Sequence, residues 1–364
     1  MINKNYKKTI CLFNSTKSWG GGEFWHYLHA IALSKNGYNV LVITNQNSKL
    51  FDRLKDKKGI KLESISIRKL DFINIIKLKK VKNIFTKHKI ELVIFNDSTD
   101  VKVGSIAAKW AGVSKVIYRR GLANIIKKSM LNKFIFNYLL TDIIANSQET
   151  KKTITINYPE IENKVCVIYN GFPIEDFMQR KSHPLYTKKN NELVIGNAGR
   201  LTEQKGQIYL LQIAKLLKEK GVNVKVLIAG IGELEDSLKE QAIKMNVDDV
   251  VDFIGFVDDI KSFMQSIDIF VFPSMWEGFG YVLTEAMACK KPIIGFNVTS
   301  NPELVEDDKN GYLVPVNDIN MFTDKIIELN NNKTKLKEMG NYGYQKLLNS
   351  FTLEKSVQVI ETLI

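Results

Sequence analysis

Short apolar runs recur along the whole chain, each followed by a longer stretch whose apolar positions fall three and four residues apart. In the first half the runs are KTICLFN, YNVLVIT, LESISI, ELVIF, KVIYR, DIIAN and VCVIY. In the second half they are ELVIGNA, NVKVLIA, VVDFIG, DIFVFP, KPIIGF and GYLV. GQIYLLQIAKLLKEK is typical of the segments between them, with one apolar face at helical spacing. Runs this uniformly apolar are strands buried on both faces, and their alternation with helices predicts parallel sheets covered by helices on both sides.

The series of strands breaks once. Residues 171–190 are polar, hold two of the seven prolines and separate two complete strand sets. The pattern therefore predicts an α/β protein of two doubly wound, Rossmann-like domains with a cleft between them. The expected boundaries are an N-terminal domain over 1–170, a linker over 171–190 and a second domain over 191–340. A C-terminal helix over 341–364 is expected to cross back to the first domain. In such sheets ligands meet the loops at the carboxyl ends of the strands.

Four of those loops carry candidate chemistry. In SWGGGEF, Gly20, Gly21 and Gly22 precede a helix expected near Glu23; they suit either a tight packing turn or a backbone approach to an anion. This is not the dinucleotide pattern G-x-G-x-x-G, and the second strand ends LVITNQ without the acidic residue that holds a ribose, which argues against a dehydrogenase. In NAGRLTEQKG, Arg200 and Lys205 lie between a strand and a helix, where they are either solvated charges or a diphosphate site. IAGIGEL offers Gly230 and Gly232, equally good as a plain turn. In DIFVFPSMWEGFGYVLTEAM, Glu277 sits in a glycine turn and Glu285 in the following helix. A carboxylate accepts two hydrogen bonds, so each can hold a vicinal diol. With phosphates at the amides around Gly278 and Gly280, the ligand that fits is a nucleotide diphosphate sugar.

Charge sharpens this picture. Of 52 Lys+Arg and 39 Asp+Glu, residues 1–185 hold 32 and 14, a net of +18, and the remainder 20 and 25, a net of −5. The basic half is expected to meet an anionic surface or substrate. The three scattered cysteines lack metal-ligand spacing and suit a reducing compartment. The start MINKNYKKTICLF has too short an apolar run for a secretory leader, and no stretch is long enough to span a membrane. These features lead to the expectation of a cytoplasmic protein.

The quoted residues resemble glycosyltransferase family 4, retaining nucleotide-sugar enzymes of the GT-B fold. Glu277 and Glu285 match its E-x7-E motif, NAGRLTEQKG its G-R-x-x-x-x-K-G loop, PSMWEGFG its P-S-x-x-E-G-F-G run, NGFPIEDF its interdomain signature and GGE its first glycine loop. The resemblance covers nearly the whole chain and implies a role for each matching residue. Arg200 and Lys205 would neutralise the donor diphosphate, and Glu285 would hold the ribose hydroxyls. Glu277, with the amides of Gly278, Phe279, Gly280 and Tyr281, would hold the donor sugar. Gly21 and Gly22 would approach the phosphates from the other domain on closure. It also implies no metal and no bound cofactor, the nucleotide sugar, UDP-linked, being a substrate. Two features depart from the pattern. The family's first-domain histidine is replaced by KVIYRRGLANI, where Arg119 and Arg120 become candidates for a sugar or acceptor contact, and the family's G-G reads SNPE, with Glu303 kept. His26 and His29 are expected to be partly buried or on the surface rather than catalytic, and Phe256 is a candidate base contact.

The acceptor is then expected in the basic half, as a glycan or lipid-linked molecule of capsule, lipopolysaccharide or related synthesis. Residues 124–140 mix lysine with Ile, Leu, Phe and Tyr in the manner of a peripheral membrane contact, whereas the apolar positions of INIIKLKKVKNIF are expected to face the core. A soluble sugar-phosphate or glucan synthase of the same fold is the alternative enzyme, but would leave the basic surface without a purpose. A non-catalytic membrane- or nucleic-acid-binding protein is the alternative of another class. No nucleic-acid partner is expected, since no recognisable binding module is evident.

Overall fold

The computed structural model describes residues 8–364; the basic opening MINKNYK lies outside them. The chain divides into two compact units, the first comprising residues up to Pro173 together with Leu353–Ile364, the second Ile174–Thr352.

Unit 1 carries strands β1 (Thr9–Asn14), β2 (Asn39–Thr44), β3 (Ile60–Ser64), β4 (Leu92–Phe95), β5 (Lys115–Arg120), β6 (Asp142–Ala145) and β7 (Val165–Val167). They form one parallel sheet in the order β3-β2-β1-β4-β5-β6-β7. Alternate residues feed two cores. Phe13, Ile43, Val93, Phe95, Val116 and Ile143 face one, under helices Ile75–Lys87 and Ser98–Ala111. Leu12, Val42, Ile94, Ile117 and Ile144 face the other, with Trp25, Leu33, Val357 and Ile360.

Unit 2 carries β8 (Leu193–Ala198), β9 (Val224–Ala229), β10 (Val251–Gly255), β11 (Ile269–Phe272), β12 (Ile293–Phe296) and β13 (Gly311–Val314), in the parallel order β10-β9-β8-β11-β12-β13. Every apolar run read as a strand is one. In each unit the order reverses beside the first strand, between β1 and β4 and between β8 and β11. The loops after these strands diverge and leave room for a ligand at that point.

Three expectations are corrected. Residues 171–190 are not a free linker. Ile174–Gln179 is a helix, and the polar stretch after it is tied to unit 2: the His183 N–H donates to Ser262 Oγ at 3.0 Å, the Leu185 N–H to Ser266 Oγ at 2.7 Å, and Lys188 pairs with Asp268 at 2.6 Å. The buried Lys261 ammonium donates to the carbonyls of Met178 and Arg180, both at 2.7 Å. Secondly, residues 341–364 are not one helix. Lys333–Ser350 ends in unit 2 and Leu353–Glu361 belongs to unit 1, where the Leu353 N–H donates to Phe172 O at 2.9 Å. Val357 and Ile360 complete a core there, so the return begins only where apolar spacing suits unit 1. Thirdly, helix Ile75–Lys87 buries Leu78, Val81, Ile84 and Phe85 but leaves Ile75 and Ile76 in solvent. The last two occupy its first turn.

Candidate functional site

The loops after β8 and β11 meet at the switch point of unit 2 and are joined backbone to backbone. The Met275 N–H donates to Gln204 O at 2.8 Å, and Gln204 Nε2 donates to Trp276 O at 2.8 Å. Gly206 ends the first loop at φ +64°; a Cβ there would lie 2.3 Å from Pro273 O, so only glycine permits the approach. The loop of Gly230 and Gly232 packs on the same segment. Cβ atoms would fall 1.9 Å from Gly199 O and 2.3 Å from Leu201 O. These two glycines thus serve backbone packing, one of the two roles left open for them.

That meeting brings Lys205 and Glu277 together. Lys205 Nζ is ion-paired with Glu277 Oε1, their side chains 17% and 8% exposed, and the ammonium lies 5.7 Å from the Phe272 ring centre. Arg200, five residues before Lys205, is exposed. The Glu277 main chain is fixed at both ends: its N–H donates to Thr299 Oγ1 at 3.0 Å, and its carbonyl accepts from Ser300 Oγ at 3.2 Å. Thr299 has φ +45°, an uncommon state for a β-branched residue. This support had no signal in the sequence, since SNPE departs from the expected G-G.

Gly280, at φ +79°, caps the helix Tyr281–Ala288. The Phe279 side chain is buried, its ring centre 5.6 Å from that of Phe351. The buried Phe279 ring therefore anchors the turn. The Leu283 N–H turns back to Gly280 O at 3.0 Å, and a helix start of this kind favours a negative charge. Glu285 lies four residues after Tyr281, about 6 Å along the axis. Burial pushes its carboxyl up to about 7, against the opposing pull of the Arg180 cation. Arg180 in turn sits over the Phe177 ring, on the segment that Lys261 holds. Phe256 follows Gly255 of β10 and is 69% exposed, so its ring is accessible.

Lys205, Glu277, the Gly278–Tyr281 turn and Glu285 thus share one strand-end region of unit 2, with Arg200 on the same loop as Lys205. One half-buried ammonium, one exposed guanidinium and a helix start can neutralise a diphosphate. Two carboxylates beyond it can accept hydroxyls. Among the described residues no group of three or more His, Cys, Asp or Glu could hold a metal ion.

In unit 1 the helix after β1 is Gly21–Lys35, beginning two residues before the expected Glu23. Gly20 caps it, and the Glu23 carboxylate turns back to accept from Asn14 Nδ2 at 3.0 Å. Gly22 has a packing reason of its own, because a Cβ would lie 2.3 Å from Asn96 Nδ2. The preceding loop is held by Asp100, fully buried, which accepts the Ser15 N–H at 2.8 Å and also the Ser15 hydroxyl. Burial pushes the Asp100 carboxyl up to about 7 despite those bonds.

Arg119 and Arg120 are separated by the alternation of β5. Arg119 is buried: Nη1 donates to Asn96 Oδ1 and Nη2 to Asn170 Oδ1, each at 2.7 Å, and the guanidinium lies 4.9 Å from the Trp25 ring centre. Arg120 points to the other face, donating to Asn124 O at 2.7 Å and Tyr118 Oη at 3.3 Å. Only Arg119 therefore joins the glycine-loop neighbourhood, and it does so from inside. His26 and His29 are fully buried, neither on the surface nor partly exposed, and burial together with Arg119 pushes both down to about 3. His29 Nε2 lies 3.0 Å from Ser356 Oγ, which donates to Tyr169 O at 3.0 Å, so it fastens the returning helix.

Known proteins agree with this geometry. Residues 19–176 match the model of glycosyltransferase family 4, and residues 178–346 that of the glycosyl transferases group 1. A capsular polysaccharide biosynthesis glycosyltransferase, CapM of Staphylococcus aureus, is 33% identical, over 78% of this chain and 79% of its own. The UDP-Gal:α-D-GlcNAc-diphosphoundecaprenol α-1,3-galactosyltransferase of Escherichia coli is 27% identical, over 91% and 90%. The solved glycosyltransferase of Rickettsia africae superposes with a TM-score of 0.86 at 21% identity, covering 98% of both chains. HepE of Anabaena in complex with UDP superposes at 0.81 and 22%, over 98% of this chain and 99% of its own. With two parallel-sheet units, the matching loops at their strand ends and these relatives, the chain belongs to the family 4 glycosyltransferases and has the GT-B fold.

Proposed function

We propose that the chain moves a sugar, with retention and without a metal, from a UDP-linked nucleotide sugar to a lipid-linked or cell-surface glycan acceptor. It works as a peripheral protein at the inner face of the cell membrane. The observation that carries this reading is the Lys205–Glu277 pair at the switch point of unit 2, flanked by Arg200 and a helix start. In the reaction the bond from the anomeric carbon to the diphosphate oxygen breaks and a bond to the acceptor hydroxyl oxygen forms. The hydroxyl proton leaves with the nucleoside diphosphate. Charge grows on the departing diphosphate, and Lys205 and Arg200 stabilise it there more than in the ground state. Glu277 and the amides of Gly278–Tyr281 orient the sugar, while Glu285 takes the ribose diol. The acceptor and ligand named for two relatives, diphosphoundecaprenol in one and UDP in another, support the substrate classes.

The test is slow donor hydrolysis across a panel of nucleotide sugars in the presence of a chelator, with the anomer of the first-formed sugar read by NMR. One donor should be cleaved with retention, and Lys205→Met should slow the cleavage by about 10²–10³. Inversion, loss of activity on chelation or unaltered cleavage by the variant would refute the corresponding part of the reading.

A further inference from the structure

We infer that one side of unit 1 docks on an anionic lipid bilayer through two segments, 68–80 and 122–138, which present apolar side chains among lysines; this rests on the reading of the acceptor as membrane-borne. The first segment was expected to be core. Its Phe72 does pack inward, but Leu70, Ile73, Ile75 and Ile76 are exposed, Ile76 at 82%. Arg68, Lys69, Lys79 and Lys80 surround them in solvent. Lys79, Lys80 and Lys87 also line, with Ile76, an open groove of about 460 Å³.

The second segment repeats the arrangement. Ile126, Leu131 and Leu139 pack on the core, while Leu122, Ile125, Met130, Phe134 and Tyr138 face out, Met130 at 91% and Tyr138 at 73%. Lys127, Lys128 and Lys133 lie among them, exposed. This display is not a slack loop. Asn157 Nδ2 donates to Ile126 O and Tyr158 Oη to Lys127 O, both at 2.8 Å, and the Ser129 N–H donates to Tyr158 Oη at 3.0 Å. The Phe134 and Tyr138 rings brace each other at 5.8 Å. Backbone held this firmly keeps large apolar groups in water, which a soluble surface avoids unless something covers them.

Both segments pack on the same core cluster and against helix Ser98–Ala111, on the face of the sheet away from the returning C-terminal helix. Each begins at the carboxyl end of a strand, β3 or β5, the edge where the glycine loop also lies. A bilayer on this side would deliver a lipid-borne acceptor to the ligand-binding edge of unit 1. Apolar residues that insert, ringed by cations that meet headgroup phosphates, are the chemistry of an anionic membrane interface rather than of a second protein.

The experiment is co-sedimentation of the full chain with phosphatidylglycerol–phosphatidylcholine vesicles at low salt, beside pure phosphatidylcholine. Binding is expected to the anionic vesicles only. The pairs Ile73→Ser with Ile76→Ser and Met130→Ser with Phe134→Ser should each weaken it by roughly tenfold. Both should keep the circular dichroism and vesicle-free donor hydrolysis of the parent. No binding by the parent chain, or equal binding by both variants, overturns the proposal. So does lipid-free self-association that Met130→Ser with Phe134→Ser abolishes, because a second copy would then own the face. Vesicle binding without any donor hydrolysis upholds the docking surface and sinks the proposed activity instead.

Discussion

Replacing Glu285 by glutamine should make unit 2 more stable above neutral pH while impairing donor binding. The carboxyl titrates near 7 in the fold against an ordinary 4.5, chiefly because it is buried, with the Arg180 cation opposing. Between those values the native chain holds a proton that the unfolded chain has released. Stability therefore falls as pH rises through this window and stays lower above it. At ~1.4 kcal/mol per pH unit the ionised group costs about 3 kcal/mol, and glutamine removes that cost without changing shape. Urea midpoints of the parent and Glu285→Gln should coincide at about pH 5 and separate at about pH 8, the variant being the more stable. Asp100, His26 and His29 also have displaced titrations, but in both proteins alike, so they cancel in the difference.

A group that expensive calls for a function, and the proposed contact with a ribose diol would supply one. Ionised, Glu285 offers both oxygens as acceptors to two hydroxyls, whereas protonation turns one of them into a donor, so below pH 7 the full contact requires loss of the proton. Affinity for a nucleotide sugar, whose phosphates are both esterified and do not titrate near neutrality, should then rise up to tenfold per pH unit and level off above about 7. Calorimetric titration over this range should show that rise in the parent and a weak, flat profile in Glu285→Gln. A flat profile in the parent, together with no gain in stability from glutamine at high pH, would refute the reasoning.

Lys205→Met should lower turnover by about 10²–10³, the usual worth of one well-placed charge at a departing group. It should also destabilise unit 2 by about 3–5 kcal/mol, because Glu277 is left buried without its cation; adding Glu277→Gln should restore folding in urea melts but not turnover. Thr299→Ala should reduce kcat/KM by roughly tenfold through a misplaced Glu277, whereas Thr299→Ser keeps the hydroxyl that accepts the Glu277 N–H and should stay near the parent. Gly230→Ala, which sets a methyl 1.9 Å from Gly199 O at φ +140°, should cost roughly 3 kcal/mol or more and be visible as a lowered urea midpoint.

The strands were legible because parallel sheets bury both faces, so each reads as an unbroken apolar run. That same property hid the roles of Arg119 and Arg120. On a strand with one wet face, alternation would have told which of the two points inward; on β5 both faces are covered, and only the three-dimensional partners Asn96 and Asn170 decide it. The tie between Asp100 and Ser15 spans 85 residues, and that between His29 and Ser356 spans 327, with no local pattern to announce either. The polar stretch 171–190 looked like a linker because its partners, Ser262, Ser266 and Asp268, lie far along the chain. Exposed isoleucines at 73, 75 and 76 were missed because an apolar run at a helix start reads as core until the sheet edge is known.

What the motif letters leave out is how Glu277 is held. Its carboxylate meets Lys205, its amide meets Thr299 and its carbonyl meets Ser300, so loops from three strands converge on one residue. At Gly206, and on the adjoining loop at Gly230 and Gly232, the missing Cβ lets neighbouring backbones approach closely. Thr299 adopts a positive φ at the same place, an outlier of the kind that persists only where neighbours over-determine it. Its hydroxyl accepts the Glu277 N–H, a bond that a residue without a side-chain oxygen could not supply. Thr299, just before SNPE, thus accepts an unusual backbone state at the place where it fixes the Glu277 main chain. Under the proposed role of Glu277 in orienting the sugar, that fixity would matter, since a shift of about 1 Å can cost a hundredfold in rate.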